Sequence, residues 1–253
     1  MKKYNILVTN DDGINSVGLQ CLVKILNSIA NIYIVAPDRE KSGTSHSLAL
    51  QHPLRVNRIN KFMASIDGTP TDCVKFGVLE FLKGKKINLL VSGINIGENM
   101  GCDIIYSGTV AAAFEGCILG VPSISISAAG KEKFDFLSIS NFIRNFVLSI
   151  LRNGLPEDTI LNVNIPDTSA DKIKGIKFTK LGKRIYNDVM IKKLDPRGKP
   201  YYWIGGNKHS WTGDKNTDFY AVNNNMISIT PLHLDMTNYK AFKKLKNVNL
   251  KIR

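Results

Sequence analysis

Five apolar runs of strand length punctuate the first two thirds of the chain, and each stops abruptly at polar, glycine or proline residues. They are NILVT at Asn5, NIYIVAP at Asn31, INLLVSG at Ile87, PSISIS at Pro122 and TILNVNIP at Thr159. The first three, dominated by Ile, Leu and Val, suit strands covered on both faces, the condition of a parallel sheet, and in the last two Ser or Asn alternates with the apolar residues. Helical periodicity separates them. SVGLQCLVKILNSI places Leu19, Leu22, Val23, Leu26 and Ile29 on one face, with Asn15 or Ser16 able to cap its start. GTPTDCVKFGVLEFL opens with Thr69 as N-cap, Pro70 at the first helical position and Asp72 in the first turn. SGTVAAAFEGCILG and FLSISNFIRNFVLSILRNG make two more helices, the second closing on a glycine. Strands alternating with helices build βαβ units. The expected fold is therefore α/β and Rossmann-like, a mostly parallel sheet flanked by helices.

Two stretches depart from that alternation. Leu48 to Asp67 alternates weakly and reads as a β excursion or hairpin. After Pro156 the chain becomes β-rich and irregular, through IKGIKFTKLGKRIY, YYWIGG and MISITPL. The expectation is a single domain over 1–253, with a core of about 1–166 and a smaller β-rich appendage of about 167–253. Within the latter, FYAVNNNMISITPLHLDMT is β-prone and follows a core that should already be complete. It would be an exposed edge strand unless another subunit, or a hairpin of the same chain, covers it.

Composition narrows the setting. The start, MKKYNILVTNDDG, is too short in apolar residues for a signal peptide, and no run approaches the roughly 20 apolar residues that span a bilayer. The four cysteines, Cys21, Cys73, Cys102 and Cys117, form no C-x-x-C pair and read as reduced thiols, mostly in the core, of a cytoplasmic protein. A net charge of +13 favours anionic partners, or is spread over a lysine-rich surface without function. The basic C-terminal stretch YKAFKKLKNVNLKIR carries no nucleic-acid-binding motif, so no specific nucleic acid is expected.

Ligands of an open parallel sheet bind beyond the carboxyl ends of its strands, near a topological switch point. The residues there are Asn10, Asp11, Asp12 and Gly13 after the first strand, and Asp38, Arg39, Ser42, Gly43 and Thr44 after the second. Ser92, Gly93, Asn95, Gly97, Asn99 and Gly101 follow INLLV, and Ser107, Gly108 and Thr109 open a helix. Two adjacent carboxylates repel by roughly 4 kcal/mol at about 4 Å and an effective dielectric of about 20, so Asp11 and Asp12 call for a positive partner. A lysine or arginine would serve. Oxygen donors with no histidine or cysteine suit a hard divalent ion better. Ser107, Gly108 and Thr109, at a helix N-terminus, could receive a phosphate or simply cap the helix. No P-loop, G-x-G-x-x-G or D-x-D order is present, and His46, His52, His209 and His233 lack metal-ligand spacing. His46 either reaches the site from the Ser42 loop or has a local structural role.

NDDG, VAPDREKSGTSHS, DGTPTDCV, VSGINIGENMGCDIIYSGTVAAAFEG and ITPLHLD, in this order, resemble the SurE family, the survival-protein 5'/3'-nucleotidases. The resemblance continues through NVNIP, TKLGKRIY and DPRGKPYYWIGG over nearly the whole chain. It implies metal ligands at Asp11, Asp12, Ser42 and Asn95, the two aspartates also being catalytic. It further implies hydrolysis of nucleoside monophosphates, in some members also of short-chain polyphosphate, with Mg²⁺ or Mn²⁺ as the ion. A homodimer or homotetramer with exchanged or paired C-terminal segments is implied as well. In that scheme the ion polarises a phosphoryl oxygen and activates water, while Asn99, Ser107, Gly108 and Thr109 hold the phosphate. Asn225 stands where the family usually has glycine, and asparagine tolerates the same left-handed backbone. The alternative is a nucleotide- or RNA-binding protein without turnover, to which adjacent carboxylates would contribute nothing.

Overall fold

The computed structural model describes residues 4–130, 134–185, 188–206 and 210–248; His209 and the end of the basic tail, 249–253, lie outside them. The first half of the chain forms β1 (Asn5–Thr9), α1 (Val17–Leu26), β2 (Asn31–Pro37), β3 (Val56–Asn60), β4 (Met63–Ile66), α2 (Pro70–Phe76), β5 (Leu89–Ile96) and α3 (Gly108–Ile118). It continues through β6 (Ser123–Ala129), α4 (Ser140–Asn153), β7 (Thr159–Pro166), β8 (Ile176–Phe178), β9 (Lys183–Ile185) and β10 (Asp188–Leu194). The last elements are β11 (Pro200–Gly206), β12 (Ser210–Thr212), α5 (Asp218–Asn223), β13 (Ile227–His233) and α6 (Tyr239–Leu245).

All five apolar runs are strands of one sheet, ordered β3-β4-β2-β1-β5-β6-β7-β13-β8. From β4 to β7 the neighbours pair in parallel, whereas β3 and β13 pair antiparallel with β4 and β7. Alternate residues of each strand serve opposite faces. Ile6 and Val8 join Leu19, Leu22, Ile143 and Val147, so α1 and α4 cover one side. Leu7 and Leu90 join Val74 and Ala112, so α2 and α3 cover the other. The chain leaves β1 towards β2 and returns on its other side as β5, which puts the switch point between the carboxyl ends of β1 and β5.

The local signals act as their chemistry requires. Ser16 caps α1, accepting the Leu19 N–H at 3.3 Å. Thr69 and Asp72 form a reciprocal capping box at α2, which passes into a π-helical turn over Gly77–Phe81 rather than continuing as one regular helix. Asn225 adopts φ 58°, the left-handed conformation asparagine accommodates. Among the described residues no helix is long and apolar enough to cross a membrane. The cysteines are free, but only Cys73 is buried in the core; Cys21 and Cys117 are partly buried and Cys102 is exposed.

One expectation is corrected. FYAVNNNMISITPL is not an exposed edge: its first part is α5, and its second is β13, paired on both sides by β7 and β8. Ile227 and Ile229 enter the same core as β7 and α4. Ser228 and Thr230 are buried on the opposite face, each 2.7 Å from the Thr179 hydroxyl. The alternation that suggested an exposed strand is that of an interior one, whose polar positions are satisfied inside the protein.

Candidate active site

Beyond β1 the chain turns sharply at Asn10, which is fully buried and donates from Nδ2 to the Gly13 carbonyl (3.1 Å) and the Ser16 hydroxyl (2.7 Å). The turn directs the next two carboxylates into a cavity of about 1020 Å³. Ser42, Asn95, Asn99 and Ser107 line the same cavity, so the loops after β1, β2 and β5 and the start of α3 converge as the topology demands.

Asp11 is buried, and its Oδ1 accepts the hydroxyl proton of Thr109. Burial raises its pKa above the ordinary value, and hydrogen bonds from Thr109 work in the opposite direction. The approach is close because residue 108 is glycine. A Cβ there would lie 2.8 Å from the Asp11 Cβ and 3.1 Å from Pro70 Cγ. Asp12, more open, is pushed up to about 7, first by burial, then by the charges of Asp11 and Glu40. Among the described residues no lysine or arginine pairs with either aspartate; the nearby Arg39 lies 3.9 Å from Asp38 instead. No basic side chain among the described residues thus compensates the like charges of Asp11 and Asp12.

The protons of the neighbouring polar groups are already taken by other residues of the cavity lining. Ser42 gives its proton to Glu40 Oε1 at 2.9 Å, which leaves the lone pairs of Oγ. Asn95 spends Nδ2 on the Gly97 carbonyl at 2.8 Å, leaving Oδ1 as an acceptor. Two carboxylates, a hydroxyl and an amide oxygen make a donor set for a hard dication. Among the described residues no three His, Cys, Asp or Glu side chains converge on such a site, which accords with half the set being neutral oxygens. The residues present fit the ion.

The remaining sequence candidates occupy different places. Ser107 lines the cavity and accepts the Val110 N–H at 3.1 Å as cap of α3. Gly108 and Thr109 stand behind Asp11 rather than on the wall. Asn99 lines the cavity, but its backbone N–H goes to Asn164 Oδ1 (2.8 Å) and its Nδ2 to Ser127 (2.8 Å). His46 does not line the cavity; its Nε2 lies 2.9 Å from Glu115 on α3.

The far wall was not legible as such. Asp103, Tyr106, Arg184, Ile204 and Gly205 supply it together with Glu98, while the charge of Glu40 acts on both aspartates. Arg184 ion-pairs with Asp103 and lies over the Trp211 ring at 5.7 Å. Asp218, fully buried at the start of α5, ties these pieces together by accepting the Gly101 N–H at 2.7 Å and the Gly182 N–H at 2.8 Å. The available signal was that GCDIIY, TKLGKRIY and YYWIGG, which carry Asp103, Tyr106, Arg184, Ile204 and Gly205, belong to the stretches that resemble the family.

A family model described as survival protein SurE matches residues 6–188. The chain belongs to the SurE family. It is 48% identical over 241 residues to the 5'-nucleotidase SurE of Aquifex aeolicus strain VF5, covering 95% of this chain and 96% of that relative. It is 45% identical over 242 residues to the 5'-nucleotidase SurE of Geobacter metallireducens, covering 95% and 96%. The crystal structure of the SurE protein from Aquifex aeolicus superposes with a TM-score of 0.86 at 47% identity, covering 96% of this chain and 98% of that one. The α/β architecture of this SurE-family chain is thus shared with a solved relative over almost its whole length.

Proposed function

We propose that the protein is a metal-dependent phosphomonoesterase that hydrolyses nucleoside 5'-monophosphates to nucleoside and phosphate, and that also accepts 3'-monophosphates and short-chain polyphosphate. The observation that carries the proposal is the Asp11–Asp12 pair, unpaired by any basic residue among those described, in one cavity with Ser42 and Asn95. Charge strengthens it. Among the described residues the cavity lining holds five carboxylates, Asp11, Asp12, Glu40, Glu98 and Asp103, against one arginine, Arg184. A phosphate ester would be repelled there unless a cation stood between. The names of the relatives support a nucleotide as substrate.

Asp11, Asp12, Ser42 and Asn95 would hold the ion, Mg²⁺ or Mn²⁺. When bound, such an ion supplies Lewis-acid polarisation of a phosphoryl oxygen and lowers the pKa of water. The protein's own part is positional. Thr109 fixes the orientation of Asp11, Gly108 leaves room for it, and Ser107, whose oxygen accepts from Val110, has its proton for a phosphoryl oxygen. Asn99 shapes the floor through its bonds to Asn164 and Ser127. Asp12, pushed up to about 7 by burial and by the charges of Asp11 and Glu40, would be held in its charged form by the ion. The test is phosphate release from AMP with Mg²⁺ or Mn²⁺ against the EDTA-stripped protein; full activity in the stripped protein, or RNA binding without turnover, would defeat the proposal.

The proposal includes at least a dimer of a cytoplasmic protein. Helix α6 buries none of its residues, and Tyr239, Phe242 and Leu245 are exposed at spacing three. The β10–β11 hairpin exposes Ile191, Tyr202 and Trp203. An apolar cavity of about 700 Å³ lies beside His233 and Met236, where the C-terminal segment leaves the body. These surfaces support pairing through C-terminal segments. Light scattering that finds a monomer at micromolar concentration would refute it.

A further inference from the structure

Ser42 reaches the cavity from a loop between β2 and β3 that has no helix or strand of its own. Backbone groups fasten the loop at its ends and at several points between, Ala49 N–H to Asp72 Oδ1 at 3.2 Å and three contacts nearer Ser42 among them. The Lys41 N–H meets the Asp11 carbonyl at 2.7 Å, the Ser45 N–H meets the Tyr106 carbonyl at 3.2 Å, and the Ser47 carbonyl accepts the Thr69 hydroxyl at 2.8 Å. Its side-chain link to α3 is His46, whose Nε2–H donates to Glu115 Oε2 at 2.9 Å, while Arg55 at the far end of the loop lies 3.8 Å from Asp67. The pair formed by Arg39 and Asp38 is internal to the loop and anchors nothing.

Glu115 is an unusual place for a carboxylate. Its side chain is 4% exposed, within a helix whose buried residues also include Val110, Ala111, Ala112 and Ala113, and Glu115 is the one buried ionisable side chain of that helix. Such a charge is tolerable only when well paired. Lys75 on α2 pairs with Oε1 at 2.7 Å, and that contact would suffice to join α2 to α3. The second partner comes from the Ser42 loop instead of from the helices. The same α3 carries Thr109, the donor to Asp11, six residues earlier. One rigid helix therefore holds Asp11 near its start and the Ser42 loop about 9 Å further along, at a rise of about 1.5 Å per residue.

We propose that Glu115, acting through His46, is a positioning residue that sets the Ser42 loop relative to Asp11 and Asp12. The proposal rests on the reading of the cavity as a dication site. Helix α3 then works as a common ruler for two ligand-bearing loops that are far apart in sequence. Partners that orient metal ligands typically change affinity by about 10–100-fold when removed.

The test compares the parent with His46→Ala, His46→Gln and Lys75→Met, using Mn²⁺ affinity by calorimetry, kcat and KM for AMP, and hydrogen exchange over residues 41–47 in the metal-free protein. His46→Ala should weaken Mn²⁺ binding about 10–100-fold and lower kcat more than it raises KM, with faster exchange in the loop. His46→Gln keeps an N–H able to reach Glu115 and should recover Mn²⁺ affinity to within about threefold. Lys75→Met breaks the other half of the pair. It should lower the melting temperature yet leave Mn²⁺ affinity and loop exchange within about twofold of the parent. Parental affinity in His46→Ala, or equal losses in Lys75→Met and His46→Ala, would overturn the proposal. A parent that binds no Mn²⁺ would instead defeat the dication reading, while hydrogen exchange would still report whether His46 fastens the loop.

Discussion

Replacing Asp12 by asparagine should make the metal-free protein more stable and the metal-loaded protein less so. Asp12 has a carboxyl pushed up from 3.8 to about 7 by burial and by the charges of Asp11 and Glu40. Folding is therefore opposed by its ionisation. Between pH 4 and pH 7 the folded state binds more protons than the unfolded one, so stability falls as pH rises through that window. The full shift corresponds to about 4 kcal/mol at pH 8, which solvent screening of this partly open group reduces to about 1–2 kcal/mol. Asparagine removes that cost at similar size. In EDTA at pH 8 the variant should melt about 3–6 °C above the parent, and at pH 4 the two should coincide. Saturating Mn²⁺ reverses the order. At 100 times its Kd a ligand stabilises by about 2.7 kcal/mol, and the variant forfeits most of this with one carboxylate gone. Melts at the two pH values, with and without Mn²⁺, read all four quantities. An Asp12→Asn protein that melts below the parent in EDTA at pH 8, with its Mn²⁺ response intact, would refute the reasoning and make the pair structural.

The other expectations follow from the same geometry. Mn²⁺ affinity should fall about tenfold per pH unit below about 7, because the ion must displace the proton of Asp12; a Kd constant from pH 8 to pH 5 in a calorimetric titration would contradict this. Gly108→Ala places a methyl 2.8 Å from the Asp11 Cβ and should cost about 1–3 kcal/mol in denaturant melts, with Mn²⁺ affinity falling in parallel. Asp218→Ala leaves the Gly101 and Gly182 N–H groups without their acceptor. It should cost about 2–4 kcal/mol and raise KM for AMP by loosening the wall that carries Asp103 and Arg184, and an unchanged melting temperature with unchanged KM would count against it.

Much of the architecture was legible because it rests on local chemistry. Uniformly apolar runs such as INLLV cannot sit at a solvated surface, and Thr69, Pro70 and Asp72 satisfy the first turn of α2 whatever lies nearby. Once strands and helices alternate, the carboxyl ends of β1 and β5 are where a cavity opens, so Asp11, Asp12, Ser42 and Asn95 could be grouped from sequence alone. What sequence leaves undetermined is which partner a side chain meets. MISITPL alternates in the same way whether its outer face meets water or the Thr179 hydroxyl, and only pairing with β7 and β8 made it an interior strand. Thr109 read as a phosphate contact because a helix N-terminus attracts any anion; the tertiary structure supplies the Asp11 carboxylate, 98 residues away in sequence, as that anion. Arg184 and Asp218 become parts of the site only when the β-rich segment folds back over Gly101, since a wall assembled from distant segments has no local pattern. Residue types and strand ends thus determined the chemistry on offer. Long-range packing alone decided which groups face the cavity and which hold them in place.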